Sequence, residues 1–179
     1  MKEVLLMYAR DHQRANAEVV ALLDGLSVEA RNEDRKSYYK SLSGLMSHVV
    51  GGTPYFHGLF RAAFPAAAGA LKATEGLEVP EAEKLTAAQW TQLKKAAAIA
   101  DQATIDFVAE LKDADFSLPI PLDWYDGKPA KVPLYFLLCQ AFTHGTHHRG
   151  QISQILDSMG IEHDFSGIDV QFLEGPGKR

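Results

Sequence analysis

The chain has 179 residues, with 18 basic and 23 acidic side chains, a formal charge of −5 and 46% hydrophobic residues. That length suits one domain, here residues 1–179, with room for an apolar core, and the acidic balance weighs against nucleic-acid and anionic-membrane partners. A single cysteine, Cys139, excludes an intrachain disulfide framework and any multi-thiolate metal site.

The first segment, MKEVLLMYARDHQRAN, has its apolar run interrupted by Arg10, Asp11 and Arg14. It therefore reads neither as a signal peptide nor as a membrane span, and a cytoplasmic location is expected. Instead Leu5, Tyr8, His12, Ala15, Val19 and Leu22 recur at three- and four-residue steps, one face of an amphipathic helix over 2–24, with Gly25 suited to its end. A second periodic stretch, roughly 38–63, carries Leu42, Leu45, His48, Phe56 and Leu59, with a kink or loose turn expected at Gly51-Gly52 and Pro54.

Residues 65–85 form a connector rich in Pro, Ala and Gly, with room for a short helix. Thr86 and Gln89 then have the spacing of a capping box, in which each side chain satisfies a backbone donor at a helix start. The helix that follows carries Trp90, Leu93, Ala97, Ala100, Thr104, Phe107 and Leu111 on its apolar stripe. In DFSLPIPLDWYDGKPAKVP four prolines forbid a helix, and Asp126-Gly127 suits a tight turn between two extended arms. A last helix, Val132 to Met159, lines up Leu134, Leu137, Ala141, His144, His148, Ile152 and Ile155 and stops near Gly160. The tail beyond it has no sustained period and is expected to pack as coil over the bundle mouth. The expected fold is all-α, a four-helix bundle with a small hairpin or ordered loop before the last helix.

Of seven histidines, His144 and His148 lie one helical turn apart, about 6 Å between their Cβ atoms. Both fall on the apolar stripe, as does His48 on another helix. Three inward imidazoles can hold Zn²⁺, Ni²⁺ or a similar cation with positions left open. The same pattern also suits hydrogen-bonded core histidines, and spacing does not separate the two readings. No His is followed by Glu and no Glu-x-x-His occurs, which removes the usual metalloprotease and di-iron patterns. His12 reads as a core histidine or a partner of the site, His147 as a residue at the site's edge or facing solvent, and His57 and His163 as ordinary surface or loop residues.

HGTHHRGQ, residues 144–151, resembles the DinB-family motif of a His, three residues, then His-Arg-Gly-Gln in the last bundle helix. ARNEDRKSYYKSLSGLMSHV, residues 30–49, is similar to the family's second-helix block, and Ala15-Asn16 and Asp169 extend the likeness over most of the chain. The resemblance implies an open three-His site built from His48, His144 and His148 around one divalent cation, Zn or Ni in the first instance. Arg149 and Gln151, at the end of the motif, take structural roles, and Gly150 is expected to permit close packing. Thr53 and Phe56 depart from the Asp and Trp that many relatives carry after the first ligand. Some relatives are thiol-dependent transferases or isomerases, so a small thiol and a small electrophile are the implied partners, in a homodimer for which the Ala-rich third helix offers a packing face. A metal-dependent hydrolase and a non-enzymatic metal-binding stress-response module are the alternatives.

Overall fold

The computed structural model describes residues 1–125 and 128–169. Within them six α-helices and one two-stranded antiparallel sheet occur in the order α1 (Lys2–Asp24), α2 (Val28–Asn32), α3 (Leu42–Gly51), α4 (Thr53–Ala63), α5 (Ala87–Glu110), β1 (Pro119–Tyr125), β2 (Lys128–Pro133) and α6 (Leu134–Ser158). Short 3₁₀ turns cover Ala68–Thr74 and Asp115–Ser117. No helix among these residues is long and apolar enough to cross a membrane. The chain is thus mainly helical with one small hairpin.

Local chemistry accounts for most of the boundaries. Thr86 caps α5 with a capping box, its hydroxyl accepting from Gln89 N at 3.2 Å while Gln89 Oε1 accepts from Thr86 N at 2.9 Å. The stretch expected as one kinked helix over 38–63 is two helices, because Gly52 closes α3 and Pro54 occupies the first turn of α4, where its missing N–H costs nothing. Helix α2, which periodicity did not reveal, is five residues long and starts at the Ser27 cap. In the hairpin, Ile120 faces Val132 and Leu122 faces Ala130, and the buried Ile120 and Leu122 alternate with exposed prolines as a strand requires. The turn expected at Asp126-Gly127 lies outside the described residues, as do residues 170–179 of the tail. Of the tail that is described, Phe165 is buried and Arg14 donates to the carbonyls of Phe165 and Gly167, which ties it to α1.

Helix α1 packs against α5 and α6, and α3 packs against the same two. The interior falls into two apolar halves. One gathers Leu5, Phe60, Phe107, Phe116, Leu134 and Phe142; the other gathers Val19, Leu45, Trp90, Leu93, Ile152 and Leu156. Each long helix contributes one end to each half. Polar residues occupy the level between them: His12 and Asn16 on α1, His48 on α3, Asp101 on α5, and His144, His148 and Arg149 on α6. The alanines Ala96, Ala97, Ala100 and Ala103 of α5 are buried inside the chain. The Ala-rich face expected to support a dimer is therefore spent on packing within the monomer.

Candidate metal centre

The site is built where α3 and α6 meet. Ser41 starts α3, its hydroxyl accepting from Gly44 N at 3.0 Å, and Gly44 is required there because a Cβ would lie 2.1 Å from the Tyr39 carbonyl oxygen. That close approach folds Tyr39 over the helix start, and its ring stacks on His48 with centroids 4.0 Å apart. Ser47 accepts from Ala82 N at 3.2 Å and donates to the Pro80 carbonyl, which pins the segment before α5 along α3. The pinned segment lays Glu81 across Gly51, where a Cβ would lie 3.0 Å from its Oε1. On α6 the one-turn spacing of His144 and His148 sets their rings edge to face with centroids 4.4 Å apart.

Three imidazole nitrogens converge. His48 Nε2 is 2.9 Å from His144 Nε2, and His144 Nε2 is 3.0 Å from His148 Nε2. Two nitrogens that each sit about 2.0–2.1 Å from one zinc-like cation are at most about 4 Å apart, so these separations fit a shared ion. Among the described residues this is the one group of three or more His, Cys, Asp or Glu side chains close enough to hold a metal. The tautomer suits that use. His148 Nδ1 donates to Gln151 Oε1 at 2.7 Å, so its neutral ring turns the Nε2 lone pair to the centre. Gln151 thereby acquires a definite role, orienting His148.

Charge at the site favours the neutral ligating form. Burial, with His148 and His48 beside it, lowers His144 to about 4. Burial also lowers His48, with His148 adding to the effect and Glu81 opposing it, and burial lowers His148 against the hydrogen bond it donates to Gln151. Tyr39 Oη lies 2.8 Å from His48 Nε2, and burial raises its pKa, so it stays a phenol at neutral pH.

Deeper in the layer is a second polar cluster. Asn16 Nδ2 donates to Asp101 Oδ2 at 3.0 Å and Arg149 Nη1 donates to Asn16 Oδ1 at 2.8 Å, so the amide bridges a buried carboxyl and a buried guanidinium. Arg149 also reaches His12 Nδ1 at 3.3 Å and Thr146 Oγ1 at 3.1 Å. Burial raises Asp101 to about 7, while burial and Arg149 push His12 to about 3. A cavity of about 420 Å³ joins the two clusters, lined by His48 and His144 at one side and by His12, Asp101, Thr104 and His57 within.

The DinB family model matches residues 1–171. The chain belongs to the DinB family. No curated protein and no solved structure matches it. In this DinB chain His48, His144 and His148, expected from the resemblance, come together; His147 is exposed and faces outward. Cys139 is exposed too, away from the converging imidazoles.

Two expectations need correction. His57 is not a surface residue: it is 1% exposed, its ring held between Thr74 Oγ1 and Thr104 Oγ1, with burial lowering it to about 4. Gly150 is exposed with open space where a Cβ would go, whereas Gly145 is the glycine that close packing demands, since a Cβ there would lie 2.3 Å from His12 Cε1. Sequence reasoning did not find Tyr39, Glu81 or Asp101. Asp101 had one available signal, its place beside Ala97 and Thr104 on the apolar stripe of α5, but nothing local reveals that a charged residue there is turned inward.

Proposed function

We propose that this DinB protein binds one divalent cation, zinc or nickel, through His48, His144 and His148 and acts as a metal-dependent thiol-transferase-like enzyme on a small electrophile. The observation that carries this reading is the convergence of three Nε2 atoms beside a cavity of about 420 Å³, a size ordinary for a small-molecule site of roughly 300–1,000 Å³. When bound, such a cation would hold a low-molecular-weight thiol as the thiolate, the form that attacks electrophiles.

The chain's own residues prepare that chemistry in three ways. Gln151 fixes the His148 tautomer, desolvation keeps the three rings neutral, and Val49, Phe56, Phe60, Leu138 and Phe142 line the cavity with apolar surface that excludes water from the reacting end. Glu81 lines the mouth of the same cavity and faces His48. It supplies the carboxylate that a hydrolase would need as a general base, and this favours hydrolysis as the second reading.

The same proposal includes the architecture and setting. Helices α1, α5, α6 and the α3–α4 pair would form the four-helix bundle of a single domain, because α1 and α3 each pack on both α5 and α6. A cytoplasmic setting would keep Cys139 reduced and supply small thiols. A homodimer would cover the exposed Val4, Tyr8, Tyr135 and Phe136, and a monomer mass by light scattering over a wide concentration range would end that part.

The deciding experiment is elemental analysis of protein purified without chelator or nickel resin, followed by addition of a small thiol to the cobalt-substituted form. The expected result is one metal per chain and a sulfur-to-cobalt charge-transfer band, both lost in His48→Ala, together with faster conjugation of the thiol to a halogenated aromatic. Metal without any thiol-dependent band would move the assignment to the hydrolase, tested with Glu81→Gln. Metal with neither activity would leave a binding module.

A further inference from the structure

Inside the cavity, His12 and Asp101 face each other with no hydrogen bond between them. His12 Nδ1 receives Arg149 Nη1 at 3.3 Å, so the neutral ring carries its proton on Nε2. His12 Nε2 then points toward Asp101 Oδ1 across 3.8 Å, too far for a hydrogen bond. The Asp101 carboxyl accepts from Asn16 Nδ2, at 3.3 Å from Oδ1 and 3.0 Å from Oδ2, and its side chain is only 9% exposed. A buried carboxyl with lone pairs to spare is costly unless something donates to it.

Other polar groups along the interior are committed. Thr104 Oγ1 donates to the Ala100 carbonyl at 2.9 Å and meets His57 Nε2 at 2.9 Å, and His57 Nδ1 lies against Thr74 Oγ1. His48 and His144 belong to the converging triad. The gap between His12 and Asp101 thus offers one N–H donor and one oxygen acceptor to the same point, a demand that a hydroxyl meets with its lone pair and its proton. An ether oxygen answers only the donor, and a hydrocarbon answers neither.

We propose that His12 and Asp101 form the polar anchor of the substrate pocket, and that the substrate is a small, uncharged, largely apolar alcohol or phenol whose hydroxyl bridges His12 Nε2 and Asp101 Oδ1. Its body lies against Phe56, Phe60, Leu138 and Phe142, and its other end reaches the His48–His144 side of the cavity. This names the substrate class for the proposed enzyme and rests on that reading only for the destination of the reactive end; the anchor itself needs no metal.

The test is calorimetric titration of the full-length protein with phenol and with anisole, in the metal-loaded state and again after chelation. Wild type should prefer phenol by about tenfold, the worth of one buried hydrogen bond, in both states. Asp101→Asn should bring the two ligands to about equal affinity, because its amide oxygen is taken by Asn16 and its NH₂ opposes the proton of the hydroxyl. Crystals of the wild type soaked in 4-iodophenol should place the hydroxyl oxygen within hydrogen-bond distance of both His12 Nε2 and Asp101 Oδ1, which keeps the test open if the variant does not fold.

Equal affinity of wild type for phenol and anisole, or a hydroxyl located elsewhere, would overturn the anchor and leave the gap to a bridging water. A preference that disappears on chelation would also overturn it, since the metal would then be reading the hydroxyl. A preference that persists in protein shown to bind no metal would keep the anchor while removing the metal-dependent enzyme.

Discussion

The two polar clusters of this interior solve the same problem in opposite ways. At His48, His144 and His148 three nitrogens point at one another with too few protons to satisfy them all; His48 and His144 are partly open to solvent and His148 is buried. At Asn16, Asp101 and Arg149 the charges are deep, yet the guanidinium and the amide are joined donor to acceptor from α6 through α1 to α5. The first cluster has the spacing that could hold a metal ion. The second holds three helices together and is arranged mainly to satisfy itself. Removing a histidine of the first should therefore damage metal binding, whereas removing Arg149 from the second should damage stability.

The largest expected effect is on metal content. His144→Ala or His148→Ala should abolish stoichiometric metal binding by elemental analysis while circular dichroism retains the helicity, because the two apolar halves stabilise the fold without the ion. Wild-type metal content in both variants would erase the contrast between the clusters. Arg149→Met tests the other side. Loss of the guanidinium leaves Asn16 and Asp101 buried without their partner, and urea unfolding should show a loss of the order of 3 kcal/mol, with full metal content once saturating metal is supplied.

Gly145→Ala sits between the clusters in both place and size of effect. Its Cβ would meet the His12 ring at 2.3 Å, and His12 is held by Arg149 on one side and packs at 5.7 Å against Phe142 on another, so a cost of about 1–3 kcal/mol is expected in chemical denaturation. An Ala variant as stable as wild type would show that His12 is free to move.

Titration sharpens the comparison further. His12 and His57 are held near 3 and 4 in the folded chain against 6.5 for a free imidazole, so the unfolded chain takes up protons first and stability falls as pH drops from about 6.5 through 4. Asp101 works the other way. Its folded value of about 7 lies above the ordinary 3.8, so the folded chain holds the proton longer and stability declines as pH rises between those values. Urea midpoints of Asp101→Asn should therefore improve relative to wild type as pH is raised across that window, and a difference independent of pH would refute the shift. The smallest effect belongs to Cys139→Ser. The thiol is exposed and away from the triad, so metal content and any thiol-dependent band of the cobalt form should be unchanged.

Much of this molecule was legible in one dimension because its rules are local. Three- and four-residue apolar steps marked α1, α5 and α6, the Thr86–Gln89 spacing marked a helix start, and four prolines with Asp126-Gly127 marked a hairpin or ordered loop. The paired histidines were legible for the same reason: one helical turn puts His144 and His148 on one face whatever surrounds them. Periodicity also put His48 on an apolar stripe, but only the resemblance in motif joined it to the pair on α6.

What only the tertiary structure decided is which polar side chains meet across helices. Asp101 and Asn16 come from segments separated by 85 residues, and Tyr39 reaches His48 because Gly44 admits a carbonyl that any Cβ would repel. The buried His57 and the spent alanine face of α5 follow the same logic, since burial depends on what packs opposite and not on the residue's own neighbours in sequence. Periodicity reports which face of a helix turns inward; the partner on the facing helix, and with it the chemistry of the cavity, exists only once the chain has folded.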